Sequence, residues 1–136
     1  INGDEWAKRI PGSEESIYQG GFHFVDFTDI DNPVETAIYQ VPEVGSHNHW
    51  VEGDILYAGY YYGGIRVLDI SGELLGDLYA QGREIAFFEG RDPNGKIPNE
   101  TNVWGVIPYK GLIYFADHYN GLWAVRLVDD EPMGTN

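Results

Sequence analysis

Apolar and polar residues alternate along most of this chain in short stretches bounded by Gly, Pro, Asp and Asn, the two-residue period of half-buried strands. The pattern predicts strands at 22–28 (FHFVDFT) and 35–41 (ETAIYQV), joined by the turn DIDNP. Four more follow at 47–52 (HNHWVE), 55–61 (ILYAGYY), 65–71 (IRVLDIS) and 73–80 (ELLGDLYA), with Gly53–Asp54 and Gly63–Gly64 as hairpin turns. Three further strands are predicted at 102–108 (NVWGVIP), 112–118 (LIYFADH) and 122–128 (LWAVRLV).

These stretches repeat. YQGGFHFVDFT (18–28), YYGGIRVLDIS (61–71) and HYNGLWAVRLV (118–128) superimpose Gly21, Gly64 and Gly121, then Val25, Leu68 and Val125. Asp26 matches Asp69, whereas the third copy carries Arg126. Residues 51–70 also align without a gap on 108–127, pairing Tyr57 with Tyr114 and Tyr62 with Tyr119. The copies lie 43 and then 57 residues apart, the longer spacing holding the polar insertion GRDPNGKIPNE (90–100). Multi-strand repeats of roughly 40–50 residues are the signature of propeller blades. The expected fold is therefore all-β and β-propeller-like, with four-stranded antiparallel blades and about two and a half repeats. Its parts are an N-terminal extension (1–17), a partial blade with the last two strands (18–45) and a complete blade (46–89). The insertion (90–100), a partial blade with the first three strands (101–128) and a tail (129–136) complete the chain. Such an open array leaves faces and strand edges exposed, which invites completion by a partner.

Composition agrees: 10 Tyr, 6 Phe and 4 Trp suit strands, and 18 Gly with 7 Pro supply turns. Eight basic against 22 acidic residues give a formal charge of −14, which repels phosphate backbones and argues against a nucleic-acid partner. The charge keeps such a chain soluble, and it also makes cation binding worth testing. With no Cys there are no disulfides or thiolate metal sites. No apolar run approaches the ~20 residues of a membrane-spanning helix. The first residue is Ile rather than Met, as expected of a processed or truncated N-terminus.

FHFVDFTDIDNP (22–33) and IRVLDIS (65–71) resemble the unit of the bacterial LVIVD-repeat proteins, an aliphatic strand ending in Val-Asp before a short Asp-Asn-Pro-like turn. The resemblance spans roughly residues 18–128. It implies a propeller-like fold and an extracytoplasmic location, periplasmic, secreted or at the cell surface. Its motifs are structural and carry no activity with them.

Candidate chemistry is sparse. His47 and His49 are two apart on a predicted strand and would share a face, and Asp117 and His118 end the second strand of the next repeat. Imidazoles with a carboxylate suit Zn²⁺ or another transition metal, although ordinary strand and rim residues have the same composition. Asp26, Asp29 and Asp31 have the look of a Ca²⁺ loop but lack the Gly and bidentate Glu of the EF-hand, so a capped turn is the simpler reading. No cofactor is assigned; Ca²⁺ and a transition metal are the two candidates. Tyr60 and Tyr62, with Trp50 and Trp104, are the candidate partner or ligand surface, while the match of Tyr57 to Tyr114 argues for packing between repeats. Asn99-Glu100-Thr101 fits a glycosylation sequon. No Ser lies in Gly-x-Ser-x-Gly, and the paired glycines are hairpin turns rather than a phosphate loop. These features favour a non-catalytic binding or scaffold module whose partners are other subunits or missing blades of the same protein. The alternatives are a metal-binding or hydrolytic propeller using the His and Asp residues, and a purely structural surface protein.

Overall fold

The computed structural model of the chain describes residues 1–3, 7–9, 16–18 and 20–128; the tail (129–136) lies outside the described residues. These form strands and turns, with no helix among them. The stretch expected to be an N-terminal extension contributes three short strands, β1 (Asn2–Gly3), β2 (Ala7–Arg9) and β3 (Ser16–Tyr18). β2 and β3 pair with each other. The first large sheet follows the order β1–β4–β5–β9, built on β4 (Gly21–Asp26) and β5 (Val34–Gln40), with β9 (Gly76–Asp77) parallel to β5.

The central sheet is a four-stranded antiparallel meander of β6 (His49–Glu52), β7 (Ile55–Tyr60), β8 (Gly64–Asp69) and β10 (Glu84–Phe88). Gly53, at φ 59°, opens the two-residue turn between β6 and β7. The C-terminal sheet has three antiparallel strands, β11 (Val103–Tyr109), β12 (Leu112–Asp117) and β13 (Gly121–Val125). Among the described residues no sheet closes on itself.

One predicted strand is corrected. The fourth strand of the central sheet is Glu84–Phe88, not 73–80. In the earlier segment Gly76 turns at φ 66°, and the Leu78 amide donates to the Ile38 carbonyl (2.8 Å). The segment therefore tucks against the first sheet, and Leu78 is buried between the first and central sheets.

The three sheets stack face to face. Leu56, Ala58, Tyr60 and Leu68 from one face of the central sheet pack on Phe22, Phe24, Ala37 and Tyr39 of the first. Ile65 and Val67 from its other face pack on Val103, Val106, Ile113 and Phe115 of the C-terminal sheet, supported by Ile55 and Tyr57. Alternation along β7 and β8 therefore serves two cores at once, and each fully buried aliphatic or aromatic side chain contributes about 2 kcal/mol.

Candidate interaction site

The polar quartet does not converge. Strand β6 begins at His49, so His47 precedes the pleat and alternation does not tie the two rings to one face. His49 packs edge-on against Phe22, with ring centroids 5.1 Å apart. His47 and His118 instead flank Trp104, at 4.9 Å and 4.1 Å between centroids. Trp104 sits at an irregularity in the β11–β12 ladder, where a bulge re-aims the side chain, and its Nε1 donates to Asn102 Oδ1 (2.8 Å).

Asp117 is buried, and its carboxylate is already saturated. It accepts from Thr101 Oγ1 (2.6 Å) and from the amides of Asn102 (3.0 Å), Tyr119 (2.7 Å) and Asn120 (3.1 Å). Its task is to fix the β12–β13 turn and the chain leaving the insertion. Thr101 of the sequon is held there as well, fully buried. Among the described residues no group of three His, Cys, Asp or Glu side chains could hold a metal ion.

The Asp-rich turn is organised internally. Asp29 accepts from the Asp31 amide (3.1 Å) and from Asn32 Nδ2 (2.8 Å). Asp26 accepts from the Thr28 amide and hydroxyl (2.8 and 2.6 Å), and Asp69 accepts from the Ser71 amide (2.8 Å). The repeated Asp thus caps the turn that follows its strand. These bonds hold Asp26, Asp29 and Asp69 below the ordinary aspartate range.

Of the four candidate surface aromatics, Tyr60 is wholly enclosed (0% exposed) and donates to the Tyr39 carbonyl (3.1 Å); it belongs to the core. Burial drives its phenol pKa upward. Trp50, Tyr62 and Trp104 are exposed. Trp50 borders a cleft of about 390 Å³ that also takes in His49, Ile107, Tyr114 and Leu122. Cross-strand pairing sets Gly105, Ala116 and Leu122 in one row and Ile107, Tyr114 and Ala124 in the next, forming the outer face of the C-terminal sheet. Leu122 is 77% exposed and Ile107 49%. Burial, and to a smaller degree the chain's amino terminus, lowers the His49 pKa, so this cleft is lined by a neutral imidazole near pH 7.

A buried polar network between the first and central sheets was not anticipated. Tyr39 donates its hydroxyl to Glu84, which also accepts from Arg66 Nη1 (3.3 Å). Arg66 donates Nε to the Gly63 carbonyl (3.0 Å) and lies over Phe87, 4.7 Å from the ring centroid. Burial, then the bond to Glu84, pushes the Tyr39 phenol pKa far up. His23 and Glu35 occupy the matching positions on the first sheet, 2.5 Å apart. The sequence signal was there: Glu35-Thr36-Ala37-Ile38-Tyr39 and Glu84-Ile85-Ala86-Phe87-Phe88 share Glu-x-Ala-apolar-aromatic.

These features define a class, an all-β protein of face-stacked, largely antiparallel sheets with an exposed apolar outer face. No protein-family model matches the chain, and no curated protein or solved structure matches it.

Proposed function

We propose that the three sheets are successive blades of an open, propeller-like array of the LVIVD-repeat type. On this reading the chain is a non-catalytic association module that holds a further subunit on the outer face of its C-terminal sheet. The observation that carries the reading is the exposure of Leu122 beside Ile107 and Tyr114. In the aligned repeats Leu122 corresponds to Ile65, Ala124 to Val67 and Tyr114 to Tyr57. On the central sheet those residues are covered by the neighbouring sheet. A contiguous apolar face of this kind, rimmed by polar residues, is the usual mark of an interaction site. An extracytoplasmic location is part of the same reading and rests on the repeat resemblance.

Sedimentation and native mass measurement test it. A particle heavier than the 15.3 kDa chain is expected, and Leu122→Glu should dissociate it while leaving the circular dichroism spectrum unchanged. A 15.3 kDa monomer at every concentration, with or without the substitution, refutes association through this face.

A further inference from the structure

We infer that the outer edge of β13 is a strand-addition site, and that its occupant is an extended partner segment of the pattern Glu-x-Ala-apolar-aromatic, antiparallel to Gly121–Val125. The inference rests on reading the C-terminal sheet as a repeat of the other two, but not on association through its outer face.

Two precedents exist within the chain. β5 lies along β4 with Glu35 opposite Val25, Ala37 opposite Phe24 and Tyr39 opposite Phe22. β10 lies along β8 with Glu84 opposite Leu68, Ala86 opposite Val67 and Phe88 opposite Ile65. Both ladders carry their irregularity at the same place, between the Glu and the Ala pairings. In the aligned repeats the third-strand positions become Val125, Ala124 and Leu122 of β13, and among the described residues β13 pairs with β12 alone.

Three local features fit the same occupant. A Cβ on Gly21 would lie 2.9 Å from the Tyr39 carbonyl oxygen, and one on Gly64 2.2 Å from that of Phe88. At Gly121, the third aligned glycine, nothing lies within 4 Å. A cleft of about 190 Å³ runs between Ala86, Phe87 and Phe88 of β10 and Val125–Val128, on the side of the sheet where the first pairs place their Glu. Lastly, Trp123 stands where the other repeats have His23 and Arg66, the partners of Glu35 and Glu84. Its Nε1 is buried without a hydrogen-bond partner, and a buried, unmade bond of this kind is costly. Arg126 lines the same cleft. A carboxylate opposite Val125 would thus meet the Arg126 guanidinium. The backbone edge would supply affinity and the alternate side chains specificity, as in other strand additions.

The test adds a capped peptide of residues 34–41 (VETAIYQV) to the intact chain and follows the Gly121–Val125 amides by NMR. Saturable binding with shifts centred on β13 is expected. Replacing the peptide's Glu35 by Ala should weaken binding about tenfold, the scale of one hydrogen bond to a charged group. Arg126→Gln in the chain should weaken the parent peptide similarly and leave the Glu35→Ala peptide nearly unaffected. Absence of saturable binding, equal binding of a scrambled peptide, or indifference to the peptide's Glu overturns the proposal; the peptide variants leave the chain's fold untouched. A monomer that binds the peptide would remove the outer-face association and keep this site, and an oligomer indifferent to the peptide would do the reverse.

Discussion

Gly64 and Gly121 occupy the same place in successive repeats, with φ of 74° and 82°, yet the cost of giving each a methyl group should differ severalfold. Both substitutions force an L residue into the left-handed region, which costs about 1–2 kcal/mol. At Gly121 nothing else opposes the new Cβ, because nothing lies within 4 Å of it. At Gly64 the Cβ would sit 2.2 Å from the Phe88 carbonyl oxygen and 2.9 Å from the Glu89 Cα, both backbone atoms. Relief requires the end of β10 to move away from β8, which loosens ladder bonds worth roughly 1 kcal/mol each and opens the Phe88 contacts with Phe115 and Trp123. Gly121→Ala should therefore lose about 1–2 kcal/mol and Gly64→Ala about 3–5 kcal/mol, the latter in the range reserved for named structural damage. Urea unfolding followed by far-ultraviolet circular dichroism measures both, with unchanged m-values as the condition for comparison. Equal losses at the two sites would refute the argument, since they would mean that the close approach of β10 contributes nothing.

Two more outcomes follow from the polar groups. Glu84→Ala leaves Tyr39 without its acceptor and leaves Arg66, whose side chain is 9% exposed, only the longer contact to Glu89 (3.9 Å); a loss of about 3 kcal/mol is expected. Glu35→Ala removes the matching pair on the first sheet, where the side chains are 26% and 52% exposed, and should cost below about 1 kcal/mol in the same assay. As for pH, His49 has a depressed folded pKa, so its contribution is complete above the unfolded value near 6.5 and is lost as pH falls through the folded one. Asp26, Asp29 and Asp69 are depressed too, and their contributions fade below about pH 4. The urea midpoint should decline in these two steps from pH 8 to 3, and His49→Gln should abolish the upper one. A midpoint that rises between pH 6.5 and 5 would contradict the assignment.

The strands that sequence alternation located well are those whose two faces differ or whose turns carry Gly. β7, β8 and β12 fall within one or two residues of expectation and β13 within three, because Gly53, Gly64 and Gly121 punctuate them at positive φ. β10 was missed for physical reasons. Phe87 and Ile85 are both exposed at this edge of the stack, so the segment shows no clean alternation. The connection before it also differs in length from the one before β5. The stretch preferred in its place, 73–80, has Leu74 and Leu78 at spacings that suit a strand, but Leu78 is buried by a turn that crosses to the first sheet. The His47–His49 pairing failed because the two-residue rule holds only inside a strand, and His47 lies outside one. For Asp117 the sequence left a turn-capping carboxylate and a metal ligand alike, and the bonds from the Thr101 hydroxyl and three amides are visible only in the folded chain.

The stack has a direction, and that direction explains why its two ends differ. Phe22 and Phe24 of the first sheet, and Ile65 and Val67 of the central one, are aligned residues, and each pair faces the next sheet along the chain. Arg66 and Leu68 face the preceding sheet, as do their counterparts Trp123 and Val125. A pair of a nitrogen donor and Glu on the preceding-side face is buried where a sheet covers it, at Arg66–Glu84, and partly exposed at His23–Glu35. The far end instead presents Leu122, Ala124 and Tyr114, an apolar surface with no charge of its own. A polar pair needs a donor such as the Tyr39 hydroxyl to be buried without penalty, whereas an apolar face needs nothing but shape. On the proposed reading, association through the C-terminal sheet would therefore be the cheaper step, since covering the first sheet would bury the His23–Glu35 pair.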